Sequence, residues 1–359
     1  MKKHLFFFFL LSVIGNAQIV RKYSNEFLNI GAGARGLAMG GAVISNQEDV
    51  YAPMWNPAGL TSIESDWQGA AMHAEYFESI AKYDYISFAK ALDSKNGVLG
   101  FSIVRLGVDN ILNTTQLIDS EGNIDYDKIT KFSTSDYAGI ISYAFHPGGS
   151  QKLSVGVNAK IVYRNVGKFA NGFGFGFDLG AIYQADSGYK FGAMLRDATT
   201  TVNFWNINQK ELSAVVNGEE FNPAPKDKME ITMPKLNVGV SKNFELNRDL
   251  DLLPEAGVNV DFAKTAALVS TDFASISPYF GAELGFQKMI FVRAGVNRFQ
   301  NITDIESLKR KVSFQPSAGI GIRYRGLTLD YAITSTGIGG SNYFSNFFSL
   351  KLDMAEFRN

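Results

Sequence analysis

Greasy side chains alternate one-for-one with small or polar ones through long stretches of this chain. In Gly172–Gln184, Phe173, Phe175, Phe177, Leu179, Ala181 and Tyr183 point one way, against Gly172, Gly174, Gly176, Asp178, Gly180, Ile182 and Gln184. In Leu153–Arg164 the apolar set is Leu153, Val155, Val157, Ala159, Ile161 and Tyr163, opposed by Ser154, Gly156, Asn158, Lys160, Val162 and Arg164. The pattern returns at 290–297, 318–324 and 348–352. A period of two is the signature of a β-strand with two unlike faces. Soluble strands average about 5–6 residues, whereas about 9–11 are needed to cross a bilayer at a tilt. Runs of this length predict strands that span a membrane.

The first seventeen residues agree with that destination. Met1-Lys2-Lys3-His4 is basic, Leu5–Ile14 is apolar apart from Ser12, and Gly15-Asn16-Ala17 places small residues before a cut at Gln18. That is the layout of a secretory signal peptide, too short to span as a helix. No later window offers about 18 uninterrupted apolar residues, which leaves a soluble secreted β protein or a transmembrane barrel.

Composition narrows the chemistry. Without the leader, 32 basic face 35 acidic side chains, a net of −3 with His neutral, which argues against nucleic-acid binding. The absence of Cys excludes disulfides, thiolate metal sites and cysteine nucleophiles. His73 and His146 are too few for a multi-histidine metal centre, and neither is paired in sequence with a nucleophile. No G-x-S-x-G elbow occurs. No cofactor, metal or catalytic residue is expected, and the chain is not read as an enzyme.

The alternation places fourteen strands near 66–77, 82–91, 97–108, 132–146, 152–166, 172–184, 189–197, 229–244, 252–262, 278–287, 289–298, 313–325, 327–333 and 343–353, with twelve or sixteen as the neighbouring even counts. Turn-like connections follow the even strands: Asp93–Asn96, Pro147–Ser150, Ala185–Gly188, Gln287-Lys288 and Gly326. Longer polar stretches follow most odd ones: 109–131, 198–228, 263–277, 299–312 and 334–342. Short turns alternating with long loops describe an outer-membrane β-barrel, with long loops extracellular and both termini periplasmic. The expected organisation is a leader (1–17), an N-terminal hatch or plug (18–65) and an all-β, transmembrane antiparallel barrel (66–359).

Residues 18–65 break the β pattern and are rich in small residues. A polar-lined barrel of this size either holds something inside or is an open pore, and a folded-in plug is the natural reading. Gly31-Ala32-Gly33-Ala34-Arg35-Gly36 matches a dinucleotide fingerprint, but no βαβ pattern follows, so packing glycines explain it. The acidic stretch Asp119–Asp127 fails the EF-hand template and reads as a solvated loop. Arg105, Lys160, Arg164, Asp178, Arg293, Arg323, Arg325, Asp330 and Lys351 are expected to point into the lumen, either as a network holding the plug or as a substrate path.

Phe27-Leu28-x-Ile30, Ala34-Arg35-x-Leu37-Ala38-Met39-Gly40-Gly41-Ala42 and Trp55-Asn56-Pro57-Ala58-Gly59-Leu60 together resemble the N-terminus of the PorV/PorQ family of Bacteroidetes outer-membrane proteins. The element Asn56-Pro57-Ala58 is also similar to the plug motif of FadL long-chain fatty-acid transporters. Both families are fourteen-stranded barrels with an N-terminal hatch, and Phe347–Leu352 resembles their last strand. The resemblance implies a component of the type IX secretion system, embedded in outer-membrane lipid. It would bind an SprA-type translocon and the C-terminal sorting domains of cargo. The alternative it implies is a FadL-like channel for hydrophobic small molecules; a barrel with a purely structural role is a third. Arg35, Met39, Gly40, Gly41, Asn56, Pro57 and Ala58 would form the hatch. The stretch 198–228, with Phe204, Trp205 and Phe221, mixes aromatic anchors with a polar rim as partner-binding loops do; a plain solvated loop is the other reading.

Overall fold

The computed structural model describes residues 24–92, 97–216, 219–223, 228–303, 309–338 and 341–357. The expected leader, residues 18–23 of the expected hatch and the turn Asp93–Asn96 lie outside them. Fourteen antiparallel strands close into one barrel. They are β1 (Gln68–Tyr76), β2 (Ala81–Ala91), β3 (Val98–Asn113), β4 (Thr130–Phe145), β5 (Leu153–Val166), β6 (Ala170–Gln184), β7 (Tyr189–Arg196 continuing as Thr201–Ile207), β8 (Met229–Thr232 continuing as Lys235–Lys242), β9 (Leu250–Asp261), β10 (Ser275–Phe286), β11 (Ile290–Thr303), β12 (Arg310–Tyr324), β13 (Leu327–Ile338) and β14 (Ser341–Asp353). Closure comes from β1 pairing with β14, Gln68 opposite Asp353 through Glu75 opposite Asn346. No sheet edge is left along that seam, as a hydrocarbon environment demands.

The alternation decides what faces out. On β5 and β6 the apolar sets face outward, with Val157, Ile161, Tyr163, Phe173, Phe175, Phe177, Leu179 and Tyr183 exposed, while Asn158, Lys160, Gly174, Gly176 and Asp178 point inward. The turns at one end are tight. Gln287-Lys288 and Arg325-Gly326 have positive φ at both positions, the type I′ geometry whose twist matches the flanking strands. At the other end the strands run further than the alternation predicted. β11 extends to Thr303, β12 starts at Arg310, and β13 and β14 leave only 339–340 between them. The expected loops 299–312 and 334–342 are therefore mostly strand, because polar residues above the apolar band still pair their backbones.

Two further expectations are corrected. The stretch 198–228 is not one loop. β7 is interrupted at residues 197–200, where Asp197 and Thr200 adopt positive φ, and then resumes. Phe204 and Trp205 are thus barrel-strand residues: Phe204 is exposed on the outer face, and Trp205 turns inward beneath the Arg164 guanidinium at 5.2 Å. Phe221 ends a small hairpin, Ala214–Val216 against Glu219–Phe221. Arg105 and Arg325 also differ from expectation. Arg105 shares its face with Leu99, Phe101 and Ile103, so strand parity turns it outward despite its charge, and Arg325 sits in a turn.

Candidate functional site: a stoppered lumen

The N-terminal segment from Ser24 to Ser65 lies within the ring of strands, and most of its residues are buried. The short helix Ala34–Ala38 packs against β11, β12, β13 and β14; the 3-10 turn Pro57–Ser62 packs against β3, β4, β5 and β6. Contact with opposite walls at once means that the segment crosses the lumen.

Its glycines explain how so irregular a backbone fits. Gly31 and Gly36 lie under the Trp55 indole, where an added Cβ would come within 2.4 and 2.8 Å of the ring; one on Gly33 would meet Tyr51 at 2.9 Å. The fingerprint-like glycines are therefore packing glycines. Trp55 is fixed in turn by its Nε1, which donates to the Ala32 carbonyl at 2.7 Å. Gly40 and Gly41 have φ of +65° and +79°, the left-handed region that glycine enters without strain. A Cβ on Gly40 would lie 2.8 Å from Val296 N of the wall. Met39 is fully buried, its carbonyl close to the inward glycines Gly281 and Gly295.

Asn56-Pro57-Ala58 sits on the glycine face of the wall. Asn56 Nδ2 donates to the carbonyls of Ile44 (2.9 Å) and Ala181 (3.0 Å), while its Oδ1 accepts from Ala58 N at 3.2 Å. A Cβ on Gly156 would lie 2.4 Å from the Pro57 carbonyl carbon and from Ala58 N, and one on Gly180 2.1 Å from Asn56 Oδ1. Some of the inward glycines thus form the socket into which this motif is pressed.

Ionic contacts complete the attachment. Arg35 makes a two-pronged contact with Glu283 (2.9 and 3.2 Å) and reaches Asn46 Oδ1 at 2.9 Å. Glu283 also receives Arg293 Nε at 2.5 Å, and Arg293 Nη1 lies 2.6 Å from Asp330. Glu255 of β9 accepts from Ile44 N (2.7 Å), Ser45 N (3.1 Å) and Asn46 Nδ2 (2.7 Å), satisfying a turn that has no helix to do so. Lys351 Nζ lies 2.9 Å from Asp49 Oδ2. Burial pushes the Asp49 carboxyl up, but the Lys351 ammonium and the Tyr51 N–H outweigh it and hold the group below the usual carboxylate range. Inward charges elsewhere brace the wall: Lys160 bridges Asp178 and Asp197, each at 2.6 Å, across the interruption of β7, and Arg164 pairs with Asp136 at 2.9 Å.

Above the segment, toward the long-loop end, lies a cavity of about 560 Å³. Its floor is Ile30, Leu37, Gly40, Gly41, Ile44 and Trp55; its walls include Arg196, Lys235, Asn237, Asn259, Asn297 and Gln315. Below, a smaller one of about 210 Å³ is bounded by Glu48, Glu64, His146 and Lys152. Among the described residues no group of three His, Asp or Glu is placed to hold a metal, and the Asp119 loop is closed on itself by Asn123 N and Glu121 N, which donate to Asp119.

The alternation identified Lys160, Arg164, Asp178, Arg293, Arg323, Asp330 and Lys351 but missed Asp136, Asp197 and the two plug-binding acids, Glu255 and Glu283. Both share a face with inward glycines on β9 and β10, Gly257 and Gly281, and that parity is the signal that could have found them.

No protein-family model and no curated protein matches the sequence. Solved structures do match in fold. The Ralstonia pickettii toluene transporter TbuX is 14% identical, covers 90% of this chain and 98% of that one, and gives a TM-score of 0.56. The Pseudomonas putida toluene transporter TodX is 13% identical over 93% and 98%, with a TM-score of 0.56. The CymD monoaromatic hydrocarbon channel is 13% identical over 90% and 97%, also at 0.56. At these identities the likeness is one of fold.

Proposed function

We propose that this protein is an integral outer-membrane channel that takes a hydrophobic or amphipathic small molecule from the long-loop side into the cavity above its N-terminal plug. The long loops would be extracellular and both termini periplasmic. The observation that carries the reading is the 560 Å³ cavity: it lies inside a closed barrel, its floor is made by Ile30, Leu37, Ile44 and Trp55 of the plug, and a second cavity lies beyond them. A molecule held there has the plug between it and the other side. The shared fold with toluene transporters and a monoaromatic hydrocarbon channel supports a substrate of this class.

Toluene and a medium-chain fatty acid, titrated against purified protein, test it. Saturable binding that is lost when Ser277→Trp fills the cavity from β10 is the expected result. Binding unchanged by that substitution would remove the cavity from the proposal.

A second reading, a type IX secretion component binding an SprA-type translocon and cargo, rests on the hatch-motif resemblance. What favours it is how firmly the plug is fastened: Arg35–Glu283, Lys351–Asp49 and the Glu255 cap all act against opening. A barrel that stays shut would work through partners on its surface. Affinity isolation from the native outer membrane separates the two readings, because only the second predicts a translocon or cargo protein among the captured species.

A further inference from the structure

The outer wall over β1–β4 departs from the rest. His73 Nδ1 lies 2.7 Å from Asp84 Oδ1, Arg105 Nη1 3.1 Å from Asp84 Oδ2, and Arg105 Nε 3.4 Å from the Tyr137 hydroxyl. Glu75 and Lys82 flank them, and Lys82 Nζ lies 3.7 Å from Asp109. All of these share the outward face with Ile86, Phe88, Leu99, Phe101 and Ile103.

Their depth makes this costly. On β5 the outward row is apolar from Leu153 at the short-turn end up to Tyr163, ten residues higher. Glu75, Asp84 and Arg105 each lie only seven residues above the short-turn ends of their strands, Gln68, Ala91 and Val98. They fall within the band that is greasy on β5 and β6. A basic residue on the lipid face costs about 2–4 kcal/mol at mid-depth, falling to about 0–1 near the interfaces, and pairing offsets part of that. Ionisable groups held at such a level are better accounted for by protein than by acyl chains.

We propose that this wall is an interface between two copies of the chain, related by a two-fold axis along the membrane normal. Such an isologous contact requires a patch complementary to itself. Glu75 on β1 and Arg105 on β3 lie at one level on either side of β2. The rotation therefore brings Glu75 of each copy opposite Arg105 of the other. Asp84 falls near the axis and is covered by its own His73 and Arg105. The remaining outward residues of β1 are Gly69 and Ala71, small enough to let the backbones approach, as at helix contacts in membranes. The inference rests on the bilayer-embedded reading above but not on transport, so a failure of ligand binding leaves it standing.

The test uses full-length protein extracted into native-lipid nanodiscs, with mass measured on single particles. Wild type is expected to be dimeric. E75R and R105E each set like charges face to face twice, and each should weaken the dimer by about tenfold or more. Mixed together under two affinity tags, the variants regain both opposite-charge contacts, and the mixed dimer should dominate. Heat-modifiable gel mobility confirms that each variant keeps its barrel. A monomeric wild type, with or without another membrane protein attached, would overturn the proposal. So would a mixed dimer no more abundant than either variant paired with itself.

Discussion

The Lys351 ammonium on the last strand lies 2.9 Å from the Asp49 carboxylate, so the N-terminal segment and the last barrel strand meet inside the barrel. Asp49 is further held by Gln47 Nε2 at 2.6 Å and by Tyr51 N at 2.9 Å. This contact joins the stopper to the seam where the barrel closes.

The Asp49 contact should make plug docking sensitive to acid. Its folded pKa lies below the ordinary value of 3.8. Its contribution is therefore complete above that ordinary value and is lost as pH falls through the lower, folded one. The protection factors of amides in residues 40–60, the intrinsic rate divided by the observed exchange at each pH, should stay high at pH 7 and fall as the pH drops below about 4. In Asp49→Asn the contribution of this residue should already be missing at neutral pH; an unchanged acid response in that variant would rule Asp49 out as its source.

Asn56 should matter more than its size suggests. Asn56→Ala leaves the Ala181 and Ile44 carbonyls without their donor in a buried place, which costs about 1–3 kcal/mol. Urea titration followed by Trp fluorescence, with Trp55 in the same segment, reads that loss. Asn56→Asp should be at least as damaging, since a carboxylate accepts and cannot donate to a carbonyl.

Glycines of the wall divide into two groups. Gly156→Val drives a side chain into Pro57 and Ala58 and should cost about 1–3 kcal/mol or displace the plug, seen as raised conductance in planar bilayers. Gly139→Val, where an added Cβ meets nothing within 4 Å, should leave conductance unchanged. Equal behaviour of the two would mean that the socket does not hold the plug.

The outward aromatics should tolerate exchange for other apolar residues but not for charge. Phe175→Arg on β6 should cost about 2–4 kcal/mol, measured by refolding into lipid vesicles, while Phe175→Leu stays near wild type. A benign Phe175→Arg would place that row out of the hydrocarbon.

Much of the architecture was written locally. Strand number and the outward identity of Phe173, Phe175 and Phe177 follow from a period of two, which depends only on neighbouring residues. The packing role of Gly31, Gly33 and Gly36 could be read because nothing after them could build a nucleotide fold. Arg105 shows where residue type misleads: its parity placed it with Leu99 and Ile103, and its charge suggested the opposite. Phe204 and Trp205 looked like loop residues because Asp197–Thr200 interrupts β7, and a strand that resumes after a kink has no local mark.

The sequence by itself determined the class of fold, the boundaries of most strands and which side of each is greasy, because alternation and turn chemistry act over a few residues. Only the tertiary structure decided which inward glycines meet Asn56 and Pro57, that Glu255 and Glu283 fasten the plug, and that an ion cluster faces outward on β1–β4. Those pairings join residues far apart along the chain, and they are fixed by how the closed barrel sets its strands in register around what it encloses.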